Sequence, residues 1–315
     1  GLAKVSGRPV PILTTSGTAA VNLHPAMVEA SYAGVPIIAL TADRPPALRG
    51  TGSNQTIEQV DLFGVDARAC IDLTADDEAA VRAAVDEALA IARDQGGPVQ
   101  LNVPLEEPLV APGYGRARAH AEVHPQRASA PKPVYLSTLV DGNLSRGVIV
   151  VGDLADDLAP QIEDLARSTG WPVISEPSGN ASGLASSLAH GPLLLEVPAF
   201  AETHVPDVVV SIGRFGLHRS IMSMLKKAGT HIAVDVGPRT GLADPSRTAT
   251  VVVPTVPTAK ALTPDPDWLA EWRSADVAAA DAVASVIVTG SLTGPAVARA
   301  LAAHVRPDEI GRAHV

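Results

Sequence analysis

The sequence predicts an α/β protein with two parallel-sheet, three-layer domains followed by the first helix of a third. Three observations carry that prediction. Short apolar, β-branched runs bounded by glycine or proline alternate with helix-like stretches, the pattern of strands buried on both faces. The order strand, helix, strand recurs in both halves, and a strand that returns through a helix pairs in parallel with a right-handed crossover. A chain of 315 residues is also too long for one ordinary core.

Pro9 to Thr15 is an apolar run read as a buried strand, and Gly17 turns the chain into a helix over Ala19 to Ala33. Pro25 implies a kink or a late helix start, because proline removes an interior hydrogen bond. Gly34 stops this helix, and Val35 to Thr41 is a second buried strand closed by Asp43-Arg44-Pro45-Pro46. Asp76 is placed to cap a long helix over 77–94, ended by Gln95-Gly96-Gly97, and Pro98 to Pro104 supplies another strand. Residues 105–145 are rich in Pro, Ala, Arg and His without a sustained period, and read as an interdomain linker. Beyond them come a strand at Gly147 to Gly152, a helix at Leu158 to Thr169 and a strand at Trp171 to Ser175. A strand at Val208 to Gly213, a helix at Ser220 to Gly229 and a strand at His231 to Asp235 repeat that order. Residues 254–273 read as a second, Pro-containing linker, followed by helices over Ala275 to Val288 and Gly294 to Val305. The expected partition is a first domain at 1–112, a linker at 113–145 and a second domain at 146–256. A linker at 257–290 and the start of a third domain at 291–309 complete it. Glu309 to Val315 is the translation of GAG-ATC-GGA-AGA-GCA-CAC-GTC, a common sequencing adapter, so residues 310–315 are expected to be an artefact.

Bulk composition removes several function classes. Hydrophobic residues make up 46% but aromatics only 3%, so the core must be built from Ala, Val, Leu and Ile. The formal charge is −10 without a long basic run, and phosphate-backbone binding needs clustered Lys and Arg, so no nucleic-acid partner is expected. The single cysteine, Cys70, excludes an intrachain disulfide and reads as a buried structural thiol between Ala69 and Ile71. The histidines are scattered without metal-ligand spacing, so no metal ligand is expected from this chain. No apolar run approaches ~20 residues and no basic leader precedes one, which predicts a cytoplasmic protein without a membrane partner.

Candidate site residues fall where open α/β sheets bind ligands, beyond the carboxyl ends of strands. Ser16-Gly17-Thr18 lacks the Gly-x-Ser-x-Gly elbow of a nucleophilic serine. It reads either as a turn that lets a flat ring or a phosphate approach the backbone, or as a tight strand–helix connection. Arg44, directly after a strand, suits a carboxylate bidentately; the alternative is a surface ion pair with Asp43 or Glu58. Asn54 and Gln55 follow a Gly-Thr-Gly-Ser loop and are either ligand-facing amides or solvated loop residues. His218-Arg219 opens a helix, where positive charge opposes the macrodipole; the pair reads either as an anion site or as a structural feature of the helix start.

Residues 1–60 contain Gly-Leu-Ala-Lys-Val-Ser, Thr-Ser-Gly-Thr-Ala-Ala-Val-Asn-Leu-His-Pro, Leu-Thr-Ala-Asp-Arg-Pro-Pro and Gly-Thr-Gly-Ser-Asn-Gln-Thr. This stretch closely resembles the 2-succinyl-5-enolpyruvyl-6-hydroxy-3-cyclohexene-1-carboxylate synthases, a family of thiamine-diphosphate enzymes in menaquinone biosynthesis. Asn102-Val103-Pro104-Leu105-Glu106-Glu107-Pro108-Leu109 and the Gly170-Trp171-Pro172 region continue the resemblance more loosely. It implies a partial pyrimidine-binding domain, a central nucleotide-fold-like domain and the opening of a diphosphate-binding domain, in a chain truncated at both ends. The glutamate that activates the pyrimidine would lie before Gly1, and the ligands of the diphosphate and of Mg²⁺ or Mn²⁺ after Val305, so the chain alone is expected to be inactive. Gly152-Asp153-Leu154 with Asn180 imitates that metal motif, but Asn180 falls in loop-like sequence well past the following strand, so the pair reads as a decoy.

By position, the resemblance assigns Ser16, Gly17 and Thr18 to the cofactor turn and Arg44 to a substrate carboxylate. It assigns Asn54 and Gln55 to the amide pair facing the reacting intermediate. His218 and Arg219 fall on a basic pair for substrate, with His where relatives carry Lys. The implied reaction is decarboxylation of 2-oxoglutarate by thiamine diphosphate and conjugate addition of the resulting carbanion to isochorismate, in a homodimer or homotetramer. The alternative is a non-catalytic two-domain α/β ligand-binding protein.

Overall fold

The computed structural model describes residues 1–73, 77–107, 109, 132–140, 144–154, 157–235, 244–259, 264–287 and 292–305. Asp76, most of the segment expected to be the first linker, and the tail at 310–315 lie outside the described residues. Two parallel sheets organise the remainder, as the strand–helix–strand order requires.

The first sheet is entered through helix α1 (Leu2–Ser6) and strand β1 (Val10–Thr14). The expected single helix is split into α2 (Thr18–Val21) and α3 (His24–Ala33), because Pro25 takes the first turn of α3, where its missing N–H leaves no hydrogen bond unmade. Gly34 ends α3 in the left-handed region at φ 66°. Strand β2 (Ile37–Asp43) follows, then β3 (Cys70–Asp72), helix α4 (Glu78–Asp94) and β4 (Val99–Pro104). Their order among the described residues is β1-β2-β4-β3, all parallel. Three expectations need correction here. β1 is not buried on both sides: it stands at the edge of the described sheet and Leu13 is 76% exposed. The α4 cap is Asp77, whose carboxylate accepts from Ala80 N at 2.8 Å. Cys70 lies in the unforeseen short strand β3, only half-buried, and its thiol accepts from Asp61 N at 3.2 Å.

The second sheet begins with β5 (Gly147–Val151), α5 (Ala159–Thr169) and β6 (Val173–Ser175). Short helices α6 (Gly191–Leu194) and α7 (Pro198–Thr203) lead to β7 (Val208–Ile212), α8 (Arg219–Lys227) and β8 (Thr230–Val234). Strand β9 (Val251–Val253) adds to β8, giving the parallel order β6-β5-β7-β8-β9 among the described residues. The chain then forms α9 (Pro266–Val286) and α10 (Gly294–His304). Residues 266–273 of the stretch expected to be a second linker belong to α9, which starts nine residues before Ala275. Its Trp268 and Trp272 are 1% and 0% exposed in the second core, so packing, not proline content, decides that segment.

The two cores differ in kind. In the second, Val148 to Val151, Val208 to Val210, Ile212, Ile232 and the three tryptophans form one continuous apolar body. In the first, small clusters around Ala84-Ala88-Ala92, Ala3-Ala30 and Met27-Phe63 are separate. Polar side chains take the place of a continuous core towards the carboxyl end of that sheet, where Thr41, Asp43 and Asn102 are buried, with Gln100 buried two residues earlier in β4.

Candidate functional site

A single register row crosses the first sheet: Thr14 pairs with Thr41, Thr41 with Asn102, and Asn102 with Asp72. Neighbouring parallel strands in register place these side chains on one face. Asn102 saturates the middle of the row. Its oxygen accepts from Thr41 Oγ1 and Gln59 Nε2, both at 2.9 Å, and its amide donates to Asp43 Oδ2 at 3.0 Å and Asp72 Oδ1 at 2.7 Å. Arg49 closes the network with a fork on Asp72 at 3.0 and 3.1 Å and a contact to Asp43 at 3.0 Å. Burial would raise the Asp72 carboxyl, but hydrogen bonds from Arg49 and Asn102 and the Arg49 charge outweigh it and hold the group below the usual carboxylate range. The Arg49 guanidinium is raised in turn, chiefly by its hydrogen bond to Asp72.

Above this network sits the glycine turn. Gly17 has φ 79° and ψ −142°, a conformation that a side chain would strain. A Cβ there would also meet Gln55 Cγ at 3.1 Å, so the open side of the glycine is covered by Gln55. Gln55, itself at φ 60°, donates from its amide to Thr15 Oγ1 and to Ser16 O, each at 2.9 Å. Ser16 Oγ answers by donating to Gln55 O at 3.1 Å. Arg44 donates from Nε and Nη2 to Asn54 O at 3.3 and 3.2 Å. Among the described residues it forms no ion pair: Asp43 instead accepts from the Arg44 backbone N at 2.7 Å, and its carboxylate is held by Arg49 and Asn102. Ser16, Gly17, Gln55, Asn54 and Arg44 are therefore one contiguous group, with Thr18 exposed at its edge. A buried hydroxyl, Thr14 Oγ1, lies two residues before Ser16 without a hydrogen-bond partner among the described residues.

His218 and Arg219 stand apart, at the N-terminus of α8 on the second sheet. Arg219 lines a hollow of about 230 Å³ with Glu196, Glu202 and Lys227, and no hydrogen bond among the described residues links this pair to the Gly17 group. A larger cleft of about 810 Å³ opens between the sheets, bordered by Lys4, Glu29, Asp153, Glu176 and Arg214. Its charged groups are largely engaged with the protein. Lys4 pairs with Asp153, Arg214 donates to Tyr32 O, and Glu176 Oε1 accepts from Gly216 N and Leu217 N at 2.9 and 2.8 Å. Asp153 is thus half of an ion pair across the cleft, and no three His, Cys, Asp or Glu side chains among the described residues are grouped to hold a metal.

The sequence reading missed Gln59, Asn102, Asp43, Arg49 and Asp72. A usable signal existed: polar residues inside otherwise apolar strands, in Leu40-Thr41-Ala42-Asp43 and Gln100-Leu101-Asn102-Val103. A buried polar residue must be paired, so each such residue announces a network.

Residues 1–62 match the family described as thiamine pyrophosphate enzyme, N-terminal TPP binding domain. Among curated relatives, a 2-succinyl-5-enolpyruvyl-6-hydroxy-3-cyclohexene-1-carboxylate synthase of Thermobifida fusca (strain YX) is 41% identical over 285 residues, covering 85% of this chain and 50% of the relative. The enzyme of the same name from Saccharopolyspora erythraea is 37% identical over 95% of this chain and 55% of its own length. That of Kineococcus radiotolerans is 35% identical over 98% and 57%. The chain spans about half the length of the curated relatives it matches. None of the three is named as a binding protein. Over most of its length the chain is thus similar to the first part of 2-succinyl-5-enolpyruvyl-6-hydroxy-3-cyclohexene-1-carboxylate synthases, and residues 1–62 match the N-terminal domain of thiamine pyrophosphate enzymes.

Proposed function

We propose that the protein to which this chain belongs is a thiamine-diphosphate-dependent transferase that decarboxylates 2-oxoglutarate and joins the remaining four-carbon unit to isochorismate, as its relatives' name implies. The observation that carries this reading is the grouping of a neutral polar turn with a guanidinium that forms no ion pair among the described residues, at the carboxyl end of one parallel sheet. The described residues fit the neutral ring end of the cofactor. Ser16, Gly17, Thr18 and the unpartnered Thr14 hydroxyl offer uncharged donors and acceptors there. The diphosphate and its Mg²⁺ or Mn²⁺ are assigned to no described residue. When bound, the cofactor would supply the electron sink for loss of CO₂.

This chain's own residues would bind and orient. Arg44, whose side chain is held among the described residues by the Asn54 carbonyl alone, is available to receive a substrate carboxylate bidentately. The Asn54 and Gln55 amides offer hydrogen bonds without an acidic proton, suited to an intermediate that protonation would quench. Gln55 would have to leave Thr15 and Ser16 to do so. His218 and Arg219 would act on substrate as a basic pair in addition to Arg44's single guanidinium. A cytoplasmic homodimer or homotetramer completes the reading, and no helix of the described residues is long and apolar enough to cross a membrane.

The test is Arg44→Ala in the full-length protein. The expected outcome is a KM for 2-oxoglutarate or isochorismate raised at least about tenfold, the scale of a lost charge-assisted hydrogen bond, with thiamine-diphosphate affinity retained. Lost cofactor affinity would move Arg44 to a cofactor role. No synthase turnover by the wild-type protein would remove the proposal.

A further inference from the structure

We infer that Gln59 is a positioning residue that locks the glycine turn, the loop carrying Asn54-Gln55 and the strand end carrying Arg44 into one rigid unit. The inference rests on the functional reading above and extends it to a side chain outside the proposed ligand-facing set.

Gln59 belongs to no helix or strand, yet it is 1% exposed, unusual for a loop amide. Its three polar contacts run to three separate elements. Gln59 Oε1 accepts from Gly17 N at 3.0 Å, which holds the turn after β1. Nε2 donates to Ala42 O at 2.8 Å, two residues before Arg44 at the end of β2. It also donates to Asn102 Oδ1 at 2.9 Å, in the central strand β4. The Gln59 carbonyl accepts from Gln100 Nε2 at 2.8 Å, so the loop main chain is tied down as well. Through Asn102 the grip reaches Asp43, whose other oxygen holds the Arg44 backbone N. One amide thus sets the spacing between the two halves of the site.

The chemistry requires an amide here. One acceptor and two donors are demanded by one N–H and two carbonyl-type oxygens. Glutamate would keep the acceptor for Gly17 but turn a carboxylate oxygen against Ala42 O and Asn102 Oδ1. Methionine would match the volume and satisfy none of the three. A residue that only filled the core would show its loss as stability alone. A positioning residue shows it as geometry, because misplacement by about 1 Å costs on the order of a hundredfold in rate.

The experiment compares Gln59→Met and Gln59→Glu with Ile38→Val, a cavity variant of the same sheet outside the site. In the full-length protein, steady-state kinetics with 2-oxoglutarate and isochorismate are measured beside Tm and the amide exchange of Gly17. Both Gln59 variants should lower kcat/KM at least about tenfold, and exchange at Gly17 should quicken about tenfold as its acceptor is lost in Gln59→Met. Ile38→Val, at a comparable loss of Tm, should stay within about twofold of wild type in kcat/KM. Gln59 variants whose kinetics match Ile38→Val would overturn the inference and leave Gln59 as core packing. Absence of turnover in the wild type would instead defeat the functional reading. The positioning claim would then stand or fall on Gly17 exchange in Gln59→Met, read against an unchanged Val150 in β5.

Discussion

Single residues in this protein are constrained by what they must be paired with. His231 is 2% exposed between two hydroxyls: Nε2 meets Ser211 Oγ at 2.7 Å and Nδ1 meets Thr248 Oγ1 at 2.9 Å, with Asp244 Oδ1 at 4.0 Å. Burial pushes its pKa below the usual histidine value, and the charge of Asp244 only partly opposes that. The unfolded chain therefore takes up a proton before the folded one does. Stability from this group is present above the unfolded value of about 6.5 and is lost as pH falls from there through the folded pKa. The expected outcome is a lower Tm of the second body at pH 5.5 than at 7.5. His231→Gln, which can hydrogen-bond but not titrate, should shrink that difference; an unchanged difference would assign the pH dependence to other groups. The serine, histidine and aspartate here imitate a hydrolase triad, but Ser211 and His231 are buried and Nδ1 meets Thr248 rather than Asp244, so the arrangement is structural.

At the scale of elements, α9 is where local pattern and packing part company. Its start at Pro266 is set by Asp265, which caps Asp267 N at 3.1 Å, and its first turns drive two tryptophans into the second core. Trp268 donates to Gly147 O at 2.8 Å, and Arg146 sits 5.6 Å over its ring while pairing with Asp265. Trp272 meets Phe200 edge-on at 4.9 Å, yet its indole N–H has no hydrogen-bond partner among the described residues. Trp272→Ala should destabilise the second body by about 3–5 kcal/mol, since a large buried ring leaves a cavity. Trp272→Phe should cost far less, because it also removes an unsatisfied donor. Thermal melts of both variants check the order; equal losses would show that ring volume alone decides. In the first body, α4 follows the sequence pattern closely. Ala84, Ala88 and Ala92, four residues apart, form its buried stripe.

The whole molecule joins two bodies of unequal construction. The second has one continuous apolar core, and the first has separate small clusters above which a polar network replaces apolar packing. The ties across the cleft, Lys4 to Asp153 and Arg214 to the Tyr32 carbonyl, are part-exposed ion pairs and hydrogen bonds of small net value. Denaturant should therefore unfold the first body before the second. All three tryptophans, Trp171, Trp268 and Trp272, lie in the second core, so fluorescence reports that body alone. The far-UV circular dichroism transition should begin at lower denaturant than the fluorescence transition. Coincident curves would mean that the two bodies unfold as one unit.

Much of the fold was legible in the residues alone. Gly34, Gly170 and the β-branched runs at Val148 to Val151 and Val208 to Ile212 mark helix ends and buried parallel strands, because backbone freedom and side-chain shape act locally. The Gly17 turn, Arg44 and the Asn54-Gln55 pair could also be singled out as candidates, since ligands in open parallel sheets bind beyond strand ends, and the structure groups them. Tertiary structure alone decided what those residues touch. Only pairing register put Thr14, Thr41, Asn102 and Asp72 in one row, only the loop's return put Gln59 under Gly17, and only burial of Trp268 and Trp272 turned an expected linker into a packed helix. The physical reason is the same in each case: a buried polar atom or a large ring is satisfied by partners distant in sequence, and no local period encodes who those partners are.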